Sequence, residues 1–441
     1  MFQRLLNPQF PFRPKQSPIF YGWIILTVAI VGTISSIPGQ TAGFSPFTDP
    51  MIKESGLNRT MLSLAYLIGT LSSGSLLSFI GKWIDKIGCR KMILLTALCY
   101  SLSLLWISEA CKVADQLHRI TGVSRELLQF ICLTTGMFGI RLWGQGMLPT
   151  LSSTMIGRWF VRYRGRANSI GGIAVGISFS AAPAVMNEFV LRFGWLSTWR
   201  FSALWMILGL GLVGWLFYRD NPEACGLFPD GEIGKTNKNE DSTEDTELEG
   251  VEANTAIRSR AFWAVMVPLG LHGYTITAFT FHITAYAREL SVSSNEAMSV
   301  FMYVAAISIP VGFLASWSSD KLKLKPYMMI MSLSQIFAYL ACTQFNHLLG
   351  LVFMALFLGI SSGFFGPLYS IAMPRFFGRK HLGEINSRLT SMMVLTSALG
   401  PAIFSLLQEV SGSYSTGLYI SALIPIASVL IIKGVQEPDI S

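Results

Sequence analysis

Arg141 stands in Gly139–Gly146 (GIRLWGQG), inside an apolar run from about 128 to 157 that carries no other charge. A planar guanidinium offers a two-pronged fork for a carboxylate. Burying one at mid-membrane costs about 3 kcal/mol on insertion scales, so some compensating role is expected. By helical rise Arg141 lies about 20 Å from one end of its run and about 25 Å from the other. Thr134, Gln145 and Ser152 share its helical face. Further along, His272, Thr275, Phe279, His282 and Tyr286 form a second stripe at helical spacing. His272 falls at mid-depth, where an imidazole titrating near neutrality can carry a coupling proton. A third polar face holds Thr33, Ser36 and Gln40, interrupted by Pro38 and Gly39, which break the helix and free a backbone carbonyl. Two readings stand side by side. Arg141 binds an anion, with Gln145, Gln40, Ser36, Thr275 and Tyr286 lining a substrate path, or it bonds backbone carbonyls of a neighbouring helix. His272 is a proton carrier, or a neutral imidazole bonded to a hydroxyl.

Other chemistries are missing from the sequence. There is no nucleophile triad, phosphate-binding loop, HExxH or dinucleotide loop, so neither an enzyme nor an ATP-driven pump is expected, and no cofactor. The six cysteines are scattered without metal spacing, so no metal site is expected.

The elements that must position these groups follow from composition. Of 441 residues, 51% are hydrophobic and 13% charged, with a mean hydropathy of +0.49. That places the chain in a lipid bilayer. Apolar runs fall near 20–46, 61–80, 92–110, 128–157, 167–190, 199–217, 261–286, 297–317, 327–345, 348–373, 386–408 and 415–432, which makes twelve candidate spans. Most of the 33 lysines and arginines lie in the terminal tails and the even-numbered connections, which puts both termini in the cytoplasm. The net charge of +8 is therefore topological and implies no nucleic-acid partner. The N-terminal tail has no apolar signal region. An acidic stretch, 237–254, separates two halves and reads as a disordered cytoplasmic linker.

The halves repeat one another. Gly81-KWI-Asp85-Lys86-I-Gly88-C-Arg90-Lys91 in the second connection is echoed by Ser316-WSS-Asp320-Lys321 in the eighth. Gly165, Asn168 and Pro183 recur at one constant offset as Gly383, Asn386 and Pro401. Duplicated halves around a central site are a transporter architecture. Gly172 and Gly176 before Pro183 offer a small-residue face on which a helix could bend, as could the prolines themselves. At Arg141's depth the second half holds Leu358 or Gly359, so any charge contact is one-sided.

On these residues the sequence resembles the major facilitator superfamily. Gly81-xxx-Asp85-Lys86-x-Gly88-x-Arg90-Lys91 matches that family's loop motif, and Arg141 with Gly144-Gln145-Gly146 its fourth-helix arginine motif. Tyr21-Gly22-Trp23, the Trp159–Ala167 run and Asn221-Pro-Glu-x-x-Gly-Leu-x-Pro-Asp-Gly231 are similar to the branch of bacterial monocarboxylate and oxalate/formate porters. The animal carriers of that branch have an acid and an arginine in the eighth helix, where this chain has Ser308 and Gly312. The resemblance implies that Asp85, Arg90 and Asp320 form a cytoplasmic latch.

The expected fold is therefore an all-α membrane protein of twelve transmembrane helices in two pseudo-symmetric six-helix bundles: 1–218, a linker at 219–258, and 259–441. The expected function is secondary transport of a small organic anion, a carboxylate, in symport with a proton or in exchange, across the inner membrane. An exporter of hydrophobic compounds, using Trp143, Phe279 and Tyr286, is the alternative; a membrane sensor is a third.

Overall fold

The computed structural model describes residues 9–231, 250–292, 294–344 and 346–436. Residues 237–249 of the acidic stretch 237–254, and Pro183's side chain, lie outside the described residues. Among the described residues twelve long helices follow in order: α1 (Tyr21–Ser35), α2 (Arg59–Ile80), α3 (Cys89–Thr121), α4 (Arg125–Trp159), α5 (Arg164–Phe193), α6 (Trp195–Phe217), α7 (Arg260–Glu289), α8 (Ser294–Ser319), α9 (Lys325–Cys342), α10 (Leu348–Phe377), α11 (Leu382–Ser411) and α12 (Ser415–Lys433). Ten are long and apolar enough to cross a membrane; α5 and α9 complete the set. Among the described residues there is no strand, only one bridge between Gly250 and Gly378.

The chain clusters into two compact units. The first lies within Met1–Val161, Ala174–Glu247 and Asn386–Ser391; the second within Arg162–Ile173, Leu248–Ile385 and Met392–Ser441. Within the first, α4 packs on α1, α2 and α3, and α3 packs on α6. Within the second, α10 packs on α7, α8 and α9, and α9 packs on α12. The neighbour pattern is the same, so the sequence repeat is also a packing repeat.

Local chemistry explains the helix limits. The Asn58 side chain accepts from Met61 N (2.8 Å) and caps α2. Ser259 does the same for α7. Helix α1 stops at Ser35, short of the expected 46, because Ile37–Gly39 tightens into a 3-10 turn at Pro38 and short helices Thr41–Phe44 and Thr48–Ser55 follow. Helix α3 runs past the expected 110 to Thr121. Its apolar pattern ends at Glu109 and Lys112, but a helix continues as long as its buried face does, here through Cys111 and Ala114.

Candidate functional site

Arg141 sits where α4 widens into a π-helical segment, Arg141–Met147. Pro149 cannot donate to Gln145, and Leu148 N bonds Trp143 O, five residues back, so the ladder is relaxed around the motif. The neighbouring break in α1 is fitted to this wide turn. A Cβ added at Gly39 would run into the Ile140 carbonyl and lie 3.0 Å from Gly144 Cα; one at Gly144 would lie 2.5 Å from the Tyr100 hydroxyl. Only glycines allow that approach.

The Arg141 side chain is 3% exposed. Its Nη1 donates to the Gly39 carbonyl (3.1 Å) and to Thr41 Oγ1 (3.4 Å), and the guanidinium lies 4.8 Å from the centre of the Tyr66 ring. Tyr66 and Thr41 share a hydroxyl–hydroxyl bond of 3.0 Å. All these partners are neutral. Among the described residues no acid pairs with Arg141, and its Nε is buried without a hydrogen-bond partner. The break itself is internally bonded: Ser36 Oγ donates to Thr33 O (2.6 Å), Gln40 Nε2 to Ser36 Oγ (3.1 Å), and Tyr100 OH to Ser36 O (3.4 Å). Gln145 Oε1 is buried and unpartnered. The carbonyl-bonding reading of Arg141 is thus the geometry observed, with donor capacity left over.

In the second unit His272 is buried between α7 and α10, its Nδ1 3.2 Å from Ser361 Oγ and its ring 5.2 Å from that of Phe365. This is the hydroxyl-bonded arrangement. From α9, Gln335 Nε2 donates to Pro268 O (2.7 Å) and Tyr339 OH to Leu271 O (3.4 Å), pinning the turn of α7 before His272. Thr275 Oγ1 is buried without a partner. Tyr286 is part of the unit's apolar core, its hydroxyl bonded to Ser415 Oγ (2.9 Å) and Cys342 O (3.3 Å). With Phe279, His282, Phe404, Tyr414 and Leu418 it lines a small pocket.

The loop motif is built as follows. Asp85 Oδ1 pairs with Arg158 Nη2 at 2.6 Å; both are largely buried. Arg90 instead turns toward α6, its Nε and Nη2 donating to Trp215 O (3.0 and 2.8 Å). Gly81 is buried and Lys86 exposed, while Gly88 holds φ 86°, open to glycine. In the second unit the Asp320 carboxylate, 8% exposed, accepts from Gly165 N (2.5 Å) and Arg166 N (3.1 Å) at the first turn of α5, and Arg166 Nε stands 3.7 Å away. Burial lifts its pKa above the ordinary 3.8 against the pull of those donors. Gly172 and Gly176 have nothing within 4 Å of an added Cβ, so they are not a close-packed seam. Pro401 lies within α11, its carbonyl 2.9 Å from His282 Nε2.

Sequence reasoning missed Tyr66, Thr41 and Tyr100 around Arg141, and Ser361 and Gln335 around His272. Gln335 carried a signal: it is the single amide in α9. Tyrosines and serines are too common in membrane helices to stand out.

The Major Facilitator Superfamily family model matches residues 24–352 and 269–440. A riboflavin transporter, RibJ of Trypanosoma cruzi (strain CL Brener), is 23% identical over 206 residues, which is 46% of this chain and 40% of that protein, so the chain matches less than half the length of this curated relative. Among solved structures, the proton:xylose symporter XylE superposes with a TM-score of 0.64 at 15% identity, covering 95% of this chain and 96% of that one. The human organic anion transporter MFSD10 (TETRAN) does so at 0.59 and 11%, covering 95% and 100%. FucP in its outward conformation does so at 0.56 and 12%, covering 93% and 98%. With a repeated helical packing, buried polar groups along its spans and a family match over nearly its whole length, the chain belongs to the Major Facilitator Superfamily and is a multi-pass membrane transporter, not an enzyme.

Proposed function

We propose that this transporter carries a small organic anion, a carboxylate, by alternating access of two six-helix halves (1–218 and 259–441) joined by the 219–258 linker, in symport with a proton or in exchange for another anion. Both termini are cytoplasmic and the membrane is the inner membrane. One observation supports the reading above the others: Arg141 is a buried cation whose partners are all neutral and whose Nε has none. Full charge inside a membrane span without a counter-ion favours an anionic visitor. The anion displaces the Gly39 carbonyl from the guanidinium, and Gln145, Gln40 and Ser36 orient its polar groups. In the second half Thr275 and Tyr286 complete the path and His272 takes the proton. Gly81, Asp85, Lys86, Gly88, Arg90 and Asp320 form the cytoplasmic gate, and Pro38, Gly39, Gly172, Gly176, Pro183 and Pro401 are points of bending.

The test is uptake of labelled carboxylates into proteoliposomes under an imposed pH gradient, wild type against Arg141→Gln. The expected result is carboxylate uptake that falls about a hundredfold in the variant. Uptake untouched by the substitution removes Arg141 from the site. A second reading, a neutral heteroaromatic solute, draws on the riboflavin transporter among the relatives. Riboflavin uptake with no carboxylate uptake in the same vesicles selects it.

A further inference from the structure

The segment Asp220–Gly231 (DNPEACGLFPDG), which the transport path leaves unused, is a strap with two acidic fasteners. It begins where α6 ends. Arg219 is fully buried, and its Nη1 donates to the Leu216 and Tyr218 carbonyls (2.9 and 2.7 Å) that the helix end leaves open. Its Nη2 reaches Phe10 O (3.0 Å), which also takes Arg90 Nη2 (2.8 Å). The next residue, Asp220, accepts from Arg90 N (2.9 Å) at the first turn of α3 and lies so close to Gly88 that a Cβ there would sit 2.5 Å from Asp220 Oδ2. The strap then turns at Asn221, whose Oδ1 accepts from Ala224 N (2.7 Å), and is met by Gln9 Nε2 at Cys225 O (3.5 Å).

Its far end is the second fastener. Asp230 takes φ 62°, ψ 0°, a left-handed conformation that aspartate tolerates better than most residues, and Gly231 follows at φ 74°. This turn aims both carboxylate oxygens at Val161 N (3.2 and 3.1 Å). Val161 sits in the short connection between α4 and α5, three residues before the Arg164 that starts α5. A Cβ at Gly231 would lie 2.8 Å from the Phe20 ring, so only glycine fits the turn against that ring.

We propose that Asp220 and Asp230 are positioning residues for the cytoplasmic gate. Asp220 fixes the loop that carries Asp85, and Asp230 fixes the connection that leads to Gly165 and Arg166, the N–H groups that meet Asp320. Movement of the end of α6 is thereby passed to both loops. The proposal rests on the gate reading above.

Hydrogen exchange resolved to single amides, on the full chain in lipid nanodiscs, tests it without a substrate, so a failed uptake screen leaves the test standing. In Asp230→Ala the Gly165 and Arg166 amides should exchange about tenfold faster than in wild type, with the α9 and α12 amides unchanged. Asp230→Asn, which keeps a side-chain acceptor and tolerates the left-handed turn, should restore most of the protection and serves if the alanine variant does not fold. Faster exchange confined to Val161, or spread evenly over both units, overturns the proposal.

Discussion

The α1–α4 pair of the first unit and the α7–α10 pair of the second occupy equivalent places in the repeat and hold opposite chemistry. Between α1 and α4 a guanidinium is tied to a broken helix's carbonyl across two glycines. Between α7 and α10 an imidazole meets a serine hydroxyl beside a helix that continues through Pro268. Packing of the same kind therefore does not dictate the same polarity. On the function proposed above, the charged side attracts the anion and the uncharged side takes the proton.

The sharpest way to break this contrast is to remove the charge. Arg141→Gln should cut carboxylate uptake about a hundredfold, whereas Ser361→Ala should change it about twofold at most. Equal losses would mean that both pairs merely pack. Next, Gly39→Ala drives a methyl into Ile140 O and should destabilise the protein by about 1–3 kcal/mol, read as a lowered thermal midpoint in detergent. An unchanged midpoint would show that the wide turn is slack.

A third prediction concerns pH. The Asp320 pKa is raised in the folded protein, so the folded state binds its proton more tightly than the unfolded one; this group stabilises the fold in acid and that contribution is lost as pH rises through the folded value. The acceptor for Gly165 and Arg166 N–H, by contrast, is strongest above it. Protection of those two amides, relative to their intrinsic exchange rate at each pH, should therefore fall as pH drops toward the raised pKa, and Asp320→Asn should flatten that profile. A profile identical in both proteins would exclude Asp320. The smallest effect is expected from His272→Gln: a stability change of about 1 kcal/mol and, where protons drive uptake, loss of acceleration by an inward pH gradient. Gradient-driven uptake that survives the change assigns the proton elsewhere.

Much of the fold was legible because apolar length and the bias of lysine and arginine are imposed by the bilayer on every span. The position of Arg141 was legible for the same reason, since an isolated charge in oil is conspicuous. Its partners were not. A backbone carbonyl such as that of Gly39 has no letter of its own, and the Pro38–Gly39 pair announced a break without saying what would face it. Asp85 stood out in the loop motif, but its partner Arg158 lies on another helix at a distance no local pattern encodes. Asp230 read as part of a family resemblance only, because its acceptor role depends on a left-handed turn, and Asp220 lay outside the motif altogether.

The wide turn of α4 has one further consequence. A π segment holds a surplus residue relative to a regular helix, and that surplus can migrate along the rod by exchanging one backbone bond at a time. Each step swings the side chain it passes by about 100°. Around Arg141 the helix thus possesses its own swivel: the cation can be re-aimed while both ends of the rod stay in place.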